Sequence, residues 1–176
     1  VEQEFAAQRA WEKVVLPQAE VDRISAYFAP PKFEKLAAKS AALDKAIAAD
    51  RAFARWVKNN LRPHRVAGYT SVHIALKPQG VAPGDCSSAQ MRAAADIAET
   101  YALDDIRVAH EQDLVLPHVK LDDVPAVYAA LKAAGLSSSN AGMGSDVIAC
   151  PGLDYCNLSN ARSISVANEI QALFAD

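Results

Sequence analysis

Two cysteines, Cys150 and Cys156, are the residues of this sequence best suited to chemistry, and five residues separate them. The Pro151-Gly152 pair after the first thiol is typical of a turn, which exposes backbone N–H groups. An apolar pattern over residues 157–174 predicts a helix whose N-terminus lies beside Cys156. Such N–H groups favour thiolates and suit an anionic metal cluster or a phosphate-like group.

The spacing of this pair leaves a second interpretation open. A C-x5-C pair is not a strong zinc or disulfide signature, so two buried structural thiols fit the spacing equally well. Three cysteines in 176 residues are too few for a disulfide scaffold and suit a reducing compartment, so we expect a cytoplasmic protein. The third cysteine, Cys86, lies far from the pair, and we expect it to be structural or incidental.

Composition excludes several classes of function. The net charge is -3 and the basic residues are dispersed, which argues against a nucleic-acid partner. The apolar runs are interrupted by charge or proline, so we expect neither a signal peptide nor a membrane partner. No phosphate loop or dinucleotide fingerprint occurs. The apolar fraction of 51% is sufficient for a folded core.

The first third of the chain is predicted to be helical, and strands and helices are predicted after it. Residues 1–61 predict helices with breaks at Pro17, at Pro30-Pro31 and near Asp50, which can cap a new helix. Two of these helices carry an apolar stripe, one at residues 21, 24, 27 and 28 and the other at residues 53, 54, 57 and 61. We interpret both stripes as packing faces, with a partner-binding or membrane-surface helix as the alternative. Residues 59–64 predict a linker.

Strands and helices alternate after this linker. We predict a strand within 66–77, a helix from Ser87 or Ser88 to 101, strands at 106–109 and 114–119 joined at 111–113, and a helix from 122 to Gly135. This order is most of a split βαβ, ferredoxin-like unit and places the chain in the α+β class. Many unrelated functions share that topology.

The last part of the chain holds the cysteines. Residues 137–145 predict a polar crossing and residues 146–149 a short strand that leads into the cysteine loop. One side of the last predicted helix is apolar. The domains expected are a helical N-terminal segment at 1–64, a ferredoxin-like half domain at 65–136, and the first loop and helix of a further domain at 137–176.

Residues 146–163, DVIACPGLDYCNLSNARS, resemble the cluster loop of the sirohaem-dependent nitrite and sulfite reductases, and residues 66–136 resemble the ferredoxin-like half domain of that family. The resemblance implies that Cys150 and Cys156 supply two ligands of a [4Fe-4S] cluster. In the family, a C-x3-C pair farther along the chain supplies the other two. No such pair occurs up to Asp176, so we expect a fragment that holds the second half domain and the start of the sirohaem and cluster domain.

The resemblance also covers residues 109–119, which match the hairpin along the sirohaem pocket in these enzymes. It implies a sirohaem-side contact for Gln112. Glu111 stands where the substrate-binding half has an arginine, and Asp113 stands where the family commonly has asparagine. Asn157 is a candidate for the cluster surroundings, or alternatively the cap of the last helix.

Sirohaem carries many carboxylates, which favours arginine donors in its pocket. The candidates are Arg107, Arg65, Arg92 and Arg162, and for each one a solvated surface charge is the simpler interpretation. We do not expect His110, Glu111 and His118 to form a metal site, because the two histidines flank a hairpin at a separation that does not ensure convergence.

For the full-length enzyme, the resemblance implies six-electron reduction of sulfite to sulfide or of nitrite to ammonia at sirohaem coupled to a [4Fe-4S] cluster. Ferredoxin or a flavoprotein would donate the electrons. With two of four thiolates, we expect the fragment alone to hold neither cofactor and to be inactive. Its expected partner is the remainder of the same polypeptide, and apolar faces left by truncation would pair two copies. The alternative is a non-catalytic ferredoxin-like binding or assembly module with structural or redox-sensing thiols.

Overall fold

The computed structural model describes residues 1–11 and 16–174, which divide into two compact units, Val1–Phe33 and Glu34–Asp176. The first unit contains helices α1 (Glu2–Trp11) and α2 (Gln18–Tyr27). Helix α2 begins directly after Pro17 and ends before the two prolines, as predicted. Its predicted packing face is wrong, because α2 has no buried residue and Tyr27 is 77% exposed.

The second unit is built on one antiparallel sheet. Its strands are β1 (Leu61–Pro63), β2 (Tyr69–Ile74), β3 (Arg107–Val108) and β4 (Leu114–Lys120), in the order β1-β2-β4-β3. Tyr69 pairs with Lys120 and Ile74 with Leu114, with an irregularity between Thr70 and Val72. This sheet confirms the α+β, ferredoxin-like prediction, although β3 is shorter than predicted.

Two helices follow the strand order of the half domain. Helix α5 (Ser88–Tyr101) begins at a capping box formed by Ser87 and Gln90. Helix α6 (Val124–Ala133) follows a 3-10 turn at Leu121–Asp123 and ends before Gly135, whose φ of +69° suits a helix C-terminus. The helices and the sheet enclose a core whose fully buried members include Val72, Ile74, Leu116, Val119, Val124, Val127 and Leu131.

Two earlier helices belong to the same core. Helix α3 (Ala41–Ala49) is capped by Ser40, and helix α4 (Arg51–Asn60) by Asp50, whose side chain accepts from the backbone N–H groups of residues 52 and 53. The cap predicted at Asp50 is confirmed. Phe53 and Trp56 of α4 enter the core and lie against the ring of Tyr128.

The linker predicted at 59–64 is wrong. Asn59 and Asn60 are buried in the last turn of α4, and the next residues form β1, which pairs with β2. The Asn60 amide donates to the carbonyl oxygens of His73 at 2.9 Å and Ser138 at 2.8 Å. Asparagines typical of a linker are here paired with buried backbone groups, which the sequence does not show.

The cysteine-bearing segment is mostly irregular. A 3-10 turn at Gly152–Asp154 precedes helix α7 (Ser163–Leu173). The strand predicted at 146–149 does not form, and the helix predicted from 157 begins only at Ser163. Within the described ranges, no helix is both long and apolar enough to cross a membrane.

Candidate functional site

Residues 149–163, which we call the cysteine loop, carry both thiols of the pair. Cys150 is exposed and Cys156 is partly exposed. The Ser163 hydroxyl donates to the Cys150 carbonyl oxygen at 2.6 Å, and the Leu153 N–H donates to the Ala161 carbonyl oxygen at 2.9 Å. These two bonds join the beginning of the loop to its end. Both thiols therefore lie on a closed backbone loop.

Gly152 makes the tight turn of the cysteine loop possible. Its φ is +62°, and a Cβ atom there would lie 2.5 Å from Ser163 Oγ and 2.6 Å from the Ala161 carbonyl oxygen. Its own carbonyl oxygen accepts from the N–H groups of Tyr155 and Cys156. These two N–H groups, next to the second thiol, are thus used inside the loop.

The helix N-terminus predicted beside Cys156 is also displaced. Helix α7 begins at Ser163, and Arg162 occupies the residue before it. Asn157 therefore does not cap α7, and it is exposed in the loop. The Arg162 guanidinium instead pairs with the Asp154 carboxylate at 2.8 Å, within the cysteine loop.

Gln112 holds the cysteine loop against the half domain. Its side-chain Nε2 donates to the Ala149 carbonyl oxygen at 2.9 Å, and the Ala149 N–H donates to Gln112 Oε1 at 3.0 Å. Gln112 lies at the turn between β3 and β4 with a φ of +62°. Both polar ends of this amide are therefore bonded to the residue that precedes Cys150.

A buried ion-pair cluster lies beneath this contact, and the sequence analysis missed it. The Lys77 ammonium group is 2.6 Å from a carboxylate oxygen of Asp113 and 2.6 Å from one of Asp146, and its side chain is fully buried. Asp113 comes from the hairpin and Asp146 from the segment before the cysteine loop. Burial raises the pKa of Asp113, and the hydrogen bond from Lys77 opposes that effect.

The backbone at Lys77 completes the attachment. Its carbonyl oxygen accepts from Asn140 Nδ2 at 3.0 Å and from Gln171 Nε2 at 3.3 Å, and Gln171 also donates to the Ser145 carbonyl oxygen at 3.1 Å. One residue thus anchors the crossing segment, helix α7 and the approach to Cys150.

A pocket of about 260 Å³ opens beside the cysteine loop. Gln112 and Gly84 form one side, and a Cβ atom on Gly84 would lie 2.8 Å from Gln112 Cβ. Ala149, Pro151 and Tyr155 form the side that belongs to the loop. The hairpin and the cysteine loop therefore share one concave surface.

The other candidates from the sequence do not join this site. Arg107 is exposed and pairs with Asp105 at 2.7 Å. His118 is buried, with Nδ1 3.1 Å from His64 Nε2, whereas His110 is 89% exposed beside Glu111. The two histidines of the hairpin thus face different surroundings, and burial lowers the pKa of His118. Arg65 and Arg92 are exposed.

The cysteines differ in their surroundings: Cys150 and Cys156 lie on the cysteine loop, whereas Cys86 lies outside it. Cys86 packs against the hydrophobic core, and burial raises the pKa of its thiol. Among residues 1–11 and 16–174, no three or more His, Cys, Asp or Glu side chains form a group able to hold a metal. Two thiols on a fixed loop are suitable ligands for an iron-sulfur cluster, and further ligands are required to complete it.

Comparison with known proteins identifies a family that matches the region before the cysteine loop. The family described as "Nitrite/Sulfite reductase ferredoxin-like half domain" matches residues 67–134, which comprise β2, α5, β3, β4 and α6. The matched region thus contains the Gln112 hairpin that holds the cysteine loop.

Three curated relatives extend the match beyond this half domain. A protein named "Sulfite reductase [ferredoxin] 2" from Mycolicibacterium paratuberculosis is 35% identical over 115 residues, covering 62% of this chain and 21% of its own length. A second protein of that organism, "Sulfite reductase [ferredoxin] 1", is 31% identical with the same coverage. "Ferredoxin--nitrite reductase" from Synechococcus elongatus is 23% identical over 66% of this chain and 23% of its own length. The chain spans about a fifth of the length of these relatives, and its match to the nitrite and sulfite reductase half-domain family covers residues 67–134.

Proposed function

We propose that this chain is part of a sirohaem- and [4Fe-4S]-dependent reductase that converts sulfite to sulfide or nitrite to ammonia with six electrons. The match of residues 67–134 to the half-domain family and the names of the relatives support the reaction class. The observation that carries the proposal is the pair of hydrogen bonds between Gln112 and Ala149. They fix the residue before Cys150 to the hairpin of the half domain.

In this proposal Cys150 and Cys156 are two of the four cluster ligands, and the cluster supplies one-electron transfer when it is bound. The residues around them orient the thiols. Ser163 holds the Cys150 carbonyl oxygen, and Gly152 allows the turn between the two cysteines. Gln112 is a positioning residue in this arrangement. Asn157 is exposed on the cysteine loop, and Arg107 is exposed outside it, where it pairs with Asp105; both are proposed contacts of sirohaem or of the cluster surroundings.

We assign residues 137–176 to the start of the cofactor domain and residues 65–136 to the half domain. With only two thiolates of the cluster site, the 176-residue chain holds neither cofactor and reduces neither anion. Ferredoxin, named in the relatives, is the proposed electron donor of the whole protein. An iron and sulfide assay that finds a stoichiometric cluster on this chain alone would overturn the assignment of an incomplete site.

The ligand assignment is tested in the polypeptide that the whole reading frame encodes, purified without oxygen. We expect a C-x3-C pair downstream of Asp176, and a [4Fe-4S] signal in electron paramagnetic resonance after reduction. Cys150→Ser and Cys156→Ser should each abolish that signal and the reduction of sulfite and nitrite. Cys86→Ser is the matched control and should leave both intact, because Cys86 packs against the core.

The same variants distinguish the alternative of a binding module with redox-sensing thiols. If Cys150 and Cys156 form a disulfide that reductants reverse, and the full polypeptide holds no iron, the reductase proposal is wrong. Equal loss of the cluster in all three cysteine variants would also contradict the ligand assignment, since it would indicate a general loss of folding.

A further inference from the structure

Two histidines join the end of strand β1 to strand β4. His64 directly follows β1, and its Nε2 atom lies 3.1 Å from Nδ1 of His118, which belongs to β4. The two rings are nearly perpendicular, at 86°. Strand β2 lies between β1 and β4 in the sheet, so this contact reaches across a whole strand.

The hydrogen bonds assign the nitrogen that carries the proton in each ring. The Val66 N–H donates to His64 Nδ1 at 2.9 Å, so this nitrogen is an acceptor and the ring proton of His64 lies on Nε2. His64 Nε2–H therefore donates to His118 Nδ1, and the ring proton of His118 lies on its own Nε2. An Asp105 carboxylate oxygen lies 3.5 Å from that nitrogen. The donors thus run in one direction, from Val66 through both rings toward Asp105.

An added proton is incompatible with this arrangement. A protonated imidazole has two N–H donors and no acceptor. A proton on His118 Nδ1 would oppose the His64 Nε2–H. A change of tautomer at His64 would restore the bond between the rings, but it would place a proton on His64 Nδ1, opposite the Val66 N–H. That proton could reach the Val66 carbonyl oxygen, 3.3 Å from Nδ1, only if the bond from the Val66 N–H were given up. Protonation of either ring therefore breaks one hydrogen bond of the series.

The surroundings of His118 also disfavour a positive charge. Burial lowers its pKa, the Asp105 carboxylate opposes that effect, and His64 and Arg107 add to it. The Arg107 guanidinium pairs with the same Asp105 carboxylate at 2.7 Å, which offsets part of its negative charge. On the other side, the ring of Tyr69 from β2 lies against His64 with centroids 5.7 Å apart, and a phenol is uncharged at neutral pH. His118 is therefore neutral at pH 7.

The stretch at 64–69 also contacts an earlier part of the chain. The Tyr69 hydroxyl accepts from the Glu34 N–H at 3.1 Å. Gly68 has a φ of +81°, and a Cβ atom there would lie 2.9 Å from the Ala37 carbonyl oxygen. The backbone that His64 holds is therefore packed directly against the segment that precedes helix α3.

We propose that His64 and His118 form a pH-sensitive clasp. The clasp is closed when both rings are neutral, and it loses one hydrogen bond when either ring takes a proton. Its opening loosens the stretch at 64–69 and, through that stretch, the segment at 34–37. The proposal does not depend on the reductase function, because neither histidine belongs to the cysteine loop.

The tautomers can be measured directly on the unmodified 176-residue chain. A long-range ¹H–¹⁵N spectrum of the imidazoles at about pH 8 should show the proton on Nε2 in both His64 and His118. The titration midpoint of His118 should lie below the ordinary histidine value of about 6.5, because burial lowers its pKa. A ring proton on Nδ1 of either histidine at about pH 8 would overturn the proposal.

The opening of the clasp is measured by hydrogen exchange, as the protection of each amide relative to its intrinsic rate at the same pH. Between about pH 8 and about pH 5, protection of the Val66 amide should fall roughly tenfold, as expected for the loss of one hydrogen bond. The Glu34 amide, which donates to Tyr69, should lose protection over the same pH range. Constant protection at either amide would contradict the proposal.

Two matched substitutions separate the clasp from a general effect of acid. His64→Asn supplies a side-chain oxygen that accepts from the Val66 N–H two residues on, and its amide takes no proton in this pH range. Val66 protection in this variant should stay within about twofold between about pH 8 and about pH 5. His110→Asn removes a histidine that is 89% exposed outside the clasp, and the tenfold loss should remain. An equal loss of Val66 protection in His64→Asn would show that another group titrates, and the proposal would be wrong.

Discussion

The half domain at 65–136 and the cysteine-bearing segment at 137–174 are stabilised in different ways. In the half domain, fully buried apolar side chains such as Ile74 and Leu116 pack between the sheet and the helices. In the cysteine-bearing segment only Ala141 and Ala167 are buried apolar residues. Its exposed large apolar side chains are Met143, Ile148, Leu153, Tyr155, Leu158, Val166, Ile170, Leu173 and Phe174.

Polar contacts attach this segment to the half domain instead. They comprise the Lys77 ion pair with Asp146, the amides of Asn140 and Gln171 on the Lys77 carbonyl oxygen, and the Gln112 bonds to Ala149. Hydrogen bonds are directional but each adds only about 0.5–1.5 kcal/mol. The segment is therefore placed accurately but held weakly. Local opening of the cysteine loop should need less free energy than unfolding of the half domain.

The largest expected effect concerns the apolar core. Leu116→Ala should lower the free energy of unfolding by about 2–5 kcal/mol, because Leu116 is fully buried and its truncation leaves a cavity. The same change at Leu153, which is 47% exposed in the cysteine loop, should cost well under that amount. Urea denaturation followed by circular dichroism measures both. Equal losses would show that the two regions are stabilised alike.

A smaller, local effect is expected at the contact between the regions. Gln112→Met keeps the side-chain length but removes both hydrogen bonds to Ala149. The free energy of local opening of the cysteine loop should therefore fall by about 1–3 kcal/mol. The measurement is hydrogen exchange of the Ala149 amide, which should become roughly tenfold to a hundredfold faster. The urea midpoint should change little.

Gln79→Met is the matched control for this change. Gln79 is exposed and lies outside the contact with Ala149, so exchange at Ala149 should match that of the unmodified chain. An unchanged Ala149 exchange rate in Gln112→Met would show that other contacts hold the loop.

The half domain was predictable because its signals are local. The caps at Asp50 and Ser87 and the stop at Gly135 are confirmed, and each depends on neighbouring residues. The errors fall where distant partners decide the conformation. Asn59 and Asn60 suggested a linker, but their amides bond to backbone carbonyls some 80 residues away at Ser139 and Ser138. The start of α7 was placed too early, because loop contacts around Gly152 replace the first turns.

The candidate site was predicted in its residues but not in its geometry. The sequence singled out Cys150, Cys156 and Gln112, and the assignment of their roles stays a prediction. It did not suggest that Lys77 is buried, because a lysine after a strand is normally solvated. Both carboxylates that pair with it come from other parts of the chain. Asp113 was the one visible signal, since it stands where the family commonly has asparagine.

The smallest expected effect concerns Asp113, one of the two carboxylates that pair with Lys77. Two carboxylates and one ammonium group are buried together, so the cluster carries one negative charge in excess when all three are ionised. Asp113→Asn keeps an acceptor for the Leu76 N–H and leaves Asp146 paired with Lys77. At pH 7 the free energy of unfolding should change by about 1 kcal/mol or less.

The pH dependence of the free energy of unfolding shows whether burial or the ion pair with Lys77 dominates at Asp113. Because burial raises the pKa of Asp113 in the folded chain, ionised Asp113 is unfavourable above that raised value, and protonation relieves the penalty. As the pH falls from the raised pKa to the ordinary aspartate value, the unmodified chain should gain stability relative to Asp113→Asn. Urea denaturation of both chains from pH 7 to about pH 4 measures the difference, with exposed Asp85→Asn as the control. A relative loss instead would show that the attraction of Lys77 for ionised Asp113 outweighs the effect of burial.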